Sequence, residues 1–284
     1  MKIAIYGSRH QEACLDILEM FLRQLSDEGV EVVMHPKIYK YLMHCMPAAM
    51  KAVRRVCENL ECGADLVLSI GGDGTFLRTV QWADGRPLPI LGVNTGHLGF
   101  LTAIGADELP TLLDSYRCGE FVREDRSLLQ VEGPDLPFAR YALNEITVAK
   151  DANASMIQAD TYVDGHHLCR YRADGLIVAT PTGSTAYAMS VGGPVIAPDT
   201  PAFVIAPIAA HSLSMRPLVV GDSSCVEIEV QGRADRFRLS VDGRSVSLAM
   251  GTRISVSKAP RTVAVLRHCS RGFAEVLNSK LGWE

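Results

Sequence analysis

The segment 65–83 constrains this chain most. An apolar run at 65–70, DLVLSI, meets Gly71-Gly72-Asp73-Gly74-Thr75 with no spacer, and 76–83 then carries helical spacing. A short apolar run bounded by glycine reads as a strand buried on both faces, the kind found in parallel sheets. Its surroundings repeat the theme. Residues 2–6, 30–34 and 89–93 are further apolar runs, and 12–25 places Leu18, Phe21, Leu22 and Leu25 at helical intervals. Residues 48–60 also read as a helix, from Ala49, Ala52, Val53, Val56 and Leu60 at steps of one, three and four. Strands alternating with helices predict an α/β domain with helices over both faces of the sheet.

After about residue 122 the texture changes. Stretches 127–132, 141–149, 156–163, 167–171, 176–179, 225–230, 237–241 and 253–257 are strand-like, with few helical stretches between them. Val163-Asp164-Gly165-His166 and Val241-Asp242-Gly243-Arg244 place Asp-Gly between strands, the preference of a type I′ hairpin turn. Asp164 and Asp242 are therefore read as turn formers. The expected organisation of the 284 residues is an α/β domain over 1–122, an all-β domain over 123–262, and a tail, 263–284, that packs back on the first domain. Residues 273–283 of the tail read as a short helix.

The formal net charge of −4 gives no general attraction to nucleic acid or to an anionic membrane, so an anionic ligand must be held by local groups. No apolar run approaches the roughly 20 residues that span a bilayer. The eight cysteines contain no C-x-x-C pair, which removes the usual zinc spacing, and residues 1–7 read as a strand entering a turn, not as a secretory leader. Reduced thiols in a cytoplasmic setting are the expectation. His166, His167 and Cys169 lie close in sequence, but in a strand His167 and Cys169 would share one face and His166 the other, so a plain strand surface is favoured over a metal site.

Three groups of residues carry chemistry. Glycines in 71–75 let backbone N–H groups approach an anion, with a helix N-terminus behind them. The segment is neither a Walker A loop nor G-x-G-x-x-G, because Leu77 stands where the third glycine belongs. Asp73 puts a carboxylate into this phosphate-type turn, which suits proton acceptance, metal binding or orientation of a hydroxyl; the alternative is a cap on the following helix. The second group runs from Asp174 to Tyr187, where a strand enters the hydroxyl-rich turn TPTGST. Small residues there admit a flat ring, hydroxyls and backbone groups can read its edge, and Tyr187 offers a stacking face; the alternative is an ordinary capped turn. The third is Asn144-Glu145, a polar pair inside an apolar strand. Strand alternation sends the two to opposite faces unless a bulge or a strand end intervenes. Arg78, Arg172 and Arg244 are candidate partners for phosphate or carboxylate.

Together these segments resemble the NAD kinase family, in family order and over nearly the whole chain: GGDGTFLR at 71–78, NTGHLGFL at 94–101, LNEITV at 143–148, DGLIVATPTGSTAYAMSVGGP at 174–194, HSLSMRPLV at 211–219 and LNSKLGW at 277–283. GGDGT alone is shared with phosphofructokinases and lipid kinases of the diacylglycerol type; TPTGSTAY is far more specific. The chain departs from the family at Ala173, where Gly is common, and at Ala210-His211, where Pro-His is common. The resemblance implies an ATP-dependent NAD kinase of the bacterial type, making NADP in the cytoplasm with a divalent cation, Mg²⁺. It also implies a homo-oligomer, a dimer or a tetramer, and a ligand in a cleft between an α/β domain and an all-β NAD-binding domain. By position it implies Asp73 as the general base for the adenosine 2′-hydroxyl, Gly74 as a backbone contact and Arg78 as a basic contact. Asn144 and Glu145 are implied to meet ribose hydroxyls, and Arg172 and Asp174 to flank the pocket. Thr185, Ala186, Tyr187, Ala188, Met189 and Ser190 are implied to line it. Ser155 and Arg244 match contact positions whose residue type varies.

Overall fold

The computed structural model describes the chain except residues 9–11, 61–62, 84–85, 87, 97–98, 152–153 and 284. It forms two compact units, Met1–Asp125 with Val263–Glu284, and Arg126–Thr262. Both boundaries fall inside strands, Phe121–Glu132 and Arg253–His268.

The first unit is built on a parallel sheet. Its first five strands in the chain, Lys2–Gly7, Glu31–Met34, Val53–Val56, Leu66–Ile70 and Ile90–Asn94, lie side by side in the order 3-2-1-4-5. Strand Ile90–Asn94 shares its outer edge between two parallel partners: Val265 and Leu266 pair with Ile90 and Leu91, while Ile104 and Gly105 pair with Val93 and Asn94. Helices Leu15–Asp27 and Pro36–Cys45 bury Leu18, Phe21, Leu22, Leu25, Ile38 and Leu42 against Ile3, Ile5, Leu66 and Leu68. The order reverses between the first and fourth strands, and in sheets of this kind ligands bind beyond the carboxyl ends at that reversal. Residues 71–74 lie there.

The helix expected over 48–60 does not form. A 3₁₀ turn, Pro47–Ala52, leads into strand Val53–Val56, and the helix of this connection is Pro36–Cys45. Pro36 opens that helix, and His35 caps it by accepting the Lys37 N–H on Nδ1 at 3.2 Å. Pro47 then stops it, and Val53-Arg54-Arg55-Val56, with β-branched ends, pairs in parallel with residues 32–34.

The second unit has strands in two antiparallel sets. One joins His166–Ala173, Ile157–Val163, Val226–Gln231 and the first part of Arg253–His268. The other has the order Leu218–Gly221, Ala202–Ile208, Gly175–Ala179, Glu145–Ala149, Arg236–Val241, Arg244–Ala249. Alternate residues form one core, including Ile146, Val148, Leu176, Val178, Phe203, Phe237 and Leu239 from one set and Ile157, Ala159, Val226, Ile228 and Ile254 from the other. Both Asp-Gly turns have positive φ at both residues, 52° and 78° at 164–165 and 44° and 79° at 242–243, as type I′ requires. His167 and Cys169 do not share a face. Thr161 pairs with Cys169 and Tyr162 with His167, so Leu168 is an extra residue in a bulge. The bulge leaves His167 exposed beside Asp160 and turns Cys169 toward the core.

Candidate active site

In the first unit, strand Leu66–Ile70 passes through Gly71 and Gly72 into helix Asp73–Trp82, so Asp73, Gly74 and Thr75 are the first helical turn and not a loop before it. The first N–H groups of a helix have no intrahelical acceptor and favour an anion; here the Thr75 N–H already donates to the Gly72 carbonyl at 2.8 Å, which leaves those of Asp73 and Gly74. Gly72 and Gly74 are exposed, which leaves the backbone open to one. Asp73 does not cap this helix. Its carboxylate turns aside, where Oδ2 accepts the Phe100 N–H at 2.9 Å and Oδ1 the Leu101 N–H at 3.0 Å. A Cβ on Gly99 would lie 1.9 Å from Asp73 Oδ1, so a residue without a side chain is needed there. The loop that supplies these donors is laced internally: Asn94 Oδ1 accepts the Gly96 N–H, and Thr102 Oγ1 accepts from Gly99 N–H and Asn94 Nδ2. His97 and Leu98 of this motif lie outside the described residues. The exposed Arg78 donates from Nη2 to Thr75 Oγ1 at 3.2 Å.

In the second unit, the apolar run 141–149 is two strands, Tyr141–Ala142 and Glu145–Ala149, with Leu143 and Asn144 at the break. The polar pair therefore sits at a strand end, where alternation no longer separates its members. Both edges of this backbone are fixed. Asp242 accepts the N–H groups of Leu143, Asn144 and Glu145 at 2.7, 2.9 and 3.1 Å. Thr180 donates from Oγ1 to the Leu143 carbonyl at 2.5 Å and from its N–H to the Asn144 carbonyl at 2.9 Å. A Cβ on Gly183 would meet the Asn144 carbonyl oxygen at 2.1 Å, so the TPTGS turn closes on this segment only through glycine.

Asn144 is buried, and its Oδ1 and Glu145 Oε2 are buried oxygens without a hydrogen-bond partner among the described residues. The Glu145 carboxyl is raised to about 7, chiefly by burial and additionally by the nearby Asp242 carboxylate, with the Tyr187 backbone N–H opposing the shift. Burial likewise raises Asp242 to about 6 against its three N–H donors. Buried polar atoms in proteins are nearly always paired, and exceptions cluster where a ligand belongs.

The hydroxyls of the TPTGST turn do not face outward to read a ligand. Thr180 and Ser184 are fully buried and spend their hydroxyls on backbone groups: Ser184 Oγ donates to the Pro181 carbonyl and accepts the Ile196 N–H. Thr185 Oγ1 donates to the Thr182 carbonyl, and the buried Arg126 donates to Thr182 Oγ1 at 3.4 Å. Such hydroxyls offer short-range bonds that compete with regular backbone pairing, and here they hold the turn in shape. Tyr187, 44% exposed, opens a four-residue helical turn with Ala188, Met189 and Ser190; Ala188 is buried, Ala186 and Met189 half-buried, and Ser190 exposed. Asp174 is paired with Lys150 at 2.9 Å. Ser155, Arg172 and Arg244 are exposed, and among the described residues their side chains make no hydrogen bond. Asn144, Glu145 and Tyr187 are thus brought together, whereas these three are not tied to them. Sequence reasoning missed Gly99, Lys150 and the carboxylate of Asp242.

Family models match both units: the ATP-NAD kinase N-terminal domain over residues 3–121 and the ATP-NAD kinase C-terminal domain over 143–268. The chain is 40% identical to an NAD kinase of Porphyromonas gingivalis over 99% of its length and 98% of that protein, and 37% identical to one of Bacteroides fragilis over 100% and 98%. The chain belongs to the NAD kinase family. A solved NAD kinase from Archaeoglobus fulgidus, in complex with ATP, superposes with a TM-score of 0.77 at 28% identity, with 100% of both chains covered. The fold is also that of a yeast NADH kinase complexed with NADH, at a TM-score of 0.89 and 23% identity over 100% of this chain and 88% of that one. Hydrogen bonds fix the Asp73 carboxylate and the backbone of residues 144 and 145.

Proposed function

We propose that this chain transfers the γ-phosphoryl group of ATP to the 2′-hydroxyl of the adenosine ribose of NAD, giving ADP and NADP, with Asp73 as the general base. The 2′-oxygen attacks the γ-phosphorus, the bond from that phosphorus to the bridging oxygen of ADP breaks, and the hydroxyl proton passes to Asp73. Each carboxylate oxygen of Asp73 uses one lone pair on an N–H of residues 100–101, which leaves capacity to accept that proton. The first-turn N–H groups of Asp73 and Gly74 are suited to the phosphates, that of Thr75 being spent on the Gly72 carbonyl at 2.8 Å. The carrying observation is the unpartnered, buried pair Asn144 Oδ1 and Glu145 Oε2. Two such oxygens accept hydroxyl protons, and a protonated Glu145 can also donate, which matches a ribose diol. Tyr187 supplies the exposed aromatic face, and the small side chain of the half-buried Ala186 precedes it.

Among the described residues no three His, Cys, Asp or Glu side chains converge. Mg²⁺ commonly binds through substrate phosphates and keeps several waters, so the triphosphate of ATP would carry it and it would relieve negative charge there. We place the enzyme in the cytoplasm; no helix among the described residues is long and apolar enough to cross a membrane. We further propose a dimer or tetramer, because strands His166–Ala173, Leu218–Gly221 and Arg244–Ala249 end their sheets with open edges. Light scattering showing only monomer at micromolar concentration counts against that.

The test of the function supplies NAD, NADH and a diacylglycerol separately with Mg-ATP. NAD is expected to be phosphorylated. Phosphorylation of the lipid alone, or of no acceptor by a folded preparation, overturns the reading.

A further inference from the structure

Residues 143, 144 and 145 direct three successive backbone N–H groups at one carboxylate, that of Asp242. A strand cannot do this, since its N–H groups alternate sides. The segment is instead a small anion-binding concavity of the kind made by consecutive N–H groups in turns, and the anion is a side chain of the same protein. Asp242 comes from the tip of the hairpin between Arg236–Val241 and Arg244–Ala249, at a φ of 44°. Its own N–H returns to the Glu145 carbonyl at 3.1 Å, so hairpin tip and strand end are locked reciprocally.

We propose that Asp242 is a positioning residue for the acceptor nucleotide: its carboxylate fixes the backbone of 143–145 so that Asn144 Oδ1 and Glu145 Oε2 stay buried, unpaired and ready for a ribose diol. This rests on the function proposed above and adds a residue that is read from sequence only as a turn former. It does not touch the substrate in this scheme. It acts by geometry, and also by charge, because it faces Glu145 and favours the proton there. Of the other elements against Glu145, strand Arg236–Val241 carries Arg236, which donates to Ser247, and Arg238, which pairs with Asp151 at 3.2 Å. Strand Gly175–Ala179 has no titratable residue, and helix Tyr187–Ser190 contributes the Tyr187 backbone N–H, with its phenol the only titratable group in that helix.

Two variants test this. Asp242→Gly keeps the positive φ at no steric cost and removes the clamp. Asp242→Asn also tolerates that φ, and its single oxygen can keep the bonds to the N–H groups of 144 and 145 while the charge is lost. Outer residues that orient binding groups typically matter by about 10–100-fold. In Asp242→Gly, NAD affinity by calorimetry is expected to fall by about that factor, with the KM for ATP changed less than about twofold. Asp242→Asn is expected to recover part of the affinity. It should also move the bend in NAD affinity against pH to lower pH, because the charge that holds the proton on Glu145 has gone. A merely structural role lowers melting temperature but leaves that bend in place. Folded Asp242→Gly that binds NAD like the wild type overturns the proposal. If Asp242→Gly does not fold, wild-type affinity and an unmoved bend in Asp242→Asn overturn it as well. Wild-type protein that binds no NAD in the same titration refutes the function reading itself, a distinguishable result.

Discussion

Replacing Asp73 by Asn separates proton acceptance from shape, and the structure sizes the side effect. Both carboxylate oxygens accept a backbone N–H, from Phe100 and Leu101. Asn offers one oxygen, so its amide nitrogen must face a donor, and one N–H of residues 100–101 is left unpaired. Leaving a buried donor unsatisfied costs about 1–3 kcal/mol, and Asp73 is only half-buried, so the lower part of that range applies. For a unit of this size that lowers the melting temperature by roughly 2–6 °C. Loss of the base is a larger and separate effect. A positioned general base contributes about 10²–10⁴-fold in rate, and 10²-fold already corresponds to about 2.7 kcal/mol of barrier. The assay is NADP formation at saturating NAD and Mg-ATP, at a temperature well below both melting transitions, with NAD affinity measured separately by calorimetry. Turnover is expected to fall by at least about 10²-fold while NAD affinity stays within about threefold. A turnover loss that disappears on cooling would assign Asp73 to tethering the loop. Near-normal turnover in fully folded Asp73→Asn would remove it as the base and make Glu145 the next carboxylate to test.

Gly183→Ala forces a Cβ to within 2.1 Å of the Asn144 carbonyl, which is backbone and has no rotamer to change. It is expected to destabilise the second unit by about 1–3 kcal/mol or more and to abolish NAD binding first; unchanged hydrogen-exchange protection in Glu145–Ala149 refutes this. Ala186→Trp, at a half-buried position beside Tyr187, is expected to raise the KM for NAD by roughly tenfold or more and to leave the KM for ATP within about twofold. An unchanged KM for NAD would mean that the pocket is elsewhere. Glu145 titrates at about 7 when folded against 4.5 as the ordinary value, so folding favours its protonated form. The stability it contributes is present below about pH 4.5 and is lost as pH rises through about 7, on the order of 1–3 kcal/mol. Glu145→Gln should flatten that part of the pH profile of protection factors in strand Glu145–Ala149; a slope of the same size in the variant refutes the assignment.

The elements legible in sequence were those whose burial leaves a single period. Strands Leu66–Ile70 and Ile90–Asn94 are buried throughout, and helix Leu15–Asp27 repeats its apolar face at three and four residues. The stretch 48–60 misled because small and β-branched residues at mixed intervals fit a helix on spacing, while pairing with 32–34 decides in favour of a strand. The site shows the same division. Residue types in GGDGT and Asn-Glu pointed to chemistry, but the direction of the Asp73 carboxylate depends on residues 99–101, some 27 positions away for Phe100. The hydroxyls of Thr180 and Ser184 looked available because sequence does not show which ones the backbone consumes. Asp242 looked like a turn residue because its second task depends on a segment 97–99 positions earlier.

The first unit is discontinuous in the chain, and this sets an order of assembly during translation. Strand Ile90–Asn94 leaves the ribosome with half of its outer edge unmatched, because the residues that complete it, Val265 and Leu266, follow the entire second unit. Arg271, which donates to the Ala103 carbonyl at 2.7 Å and pairs with Glu108 at 3.0 Å, arrives later still. The second unit, being continuous, can close on its own while the nascent first unit waits with an open β edge, the kind of exposed template that invites aggregation. A premature stop just after residue 262 would therefore leave the all-β unit intact and damage the unit made first. A ribosome-bound nascent chain should become protease-resistant in the same order, 126–262 before 1–125.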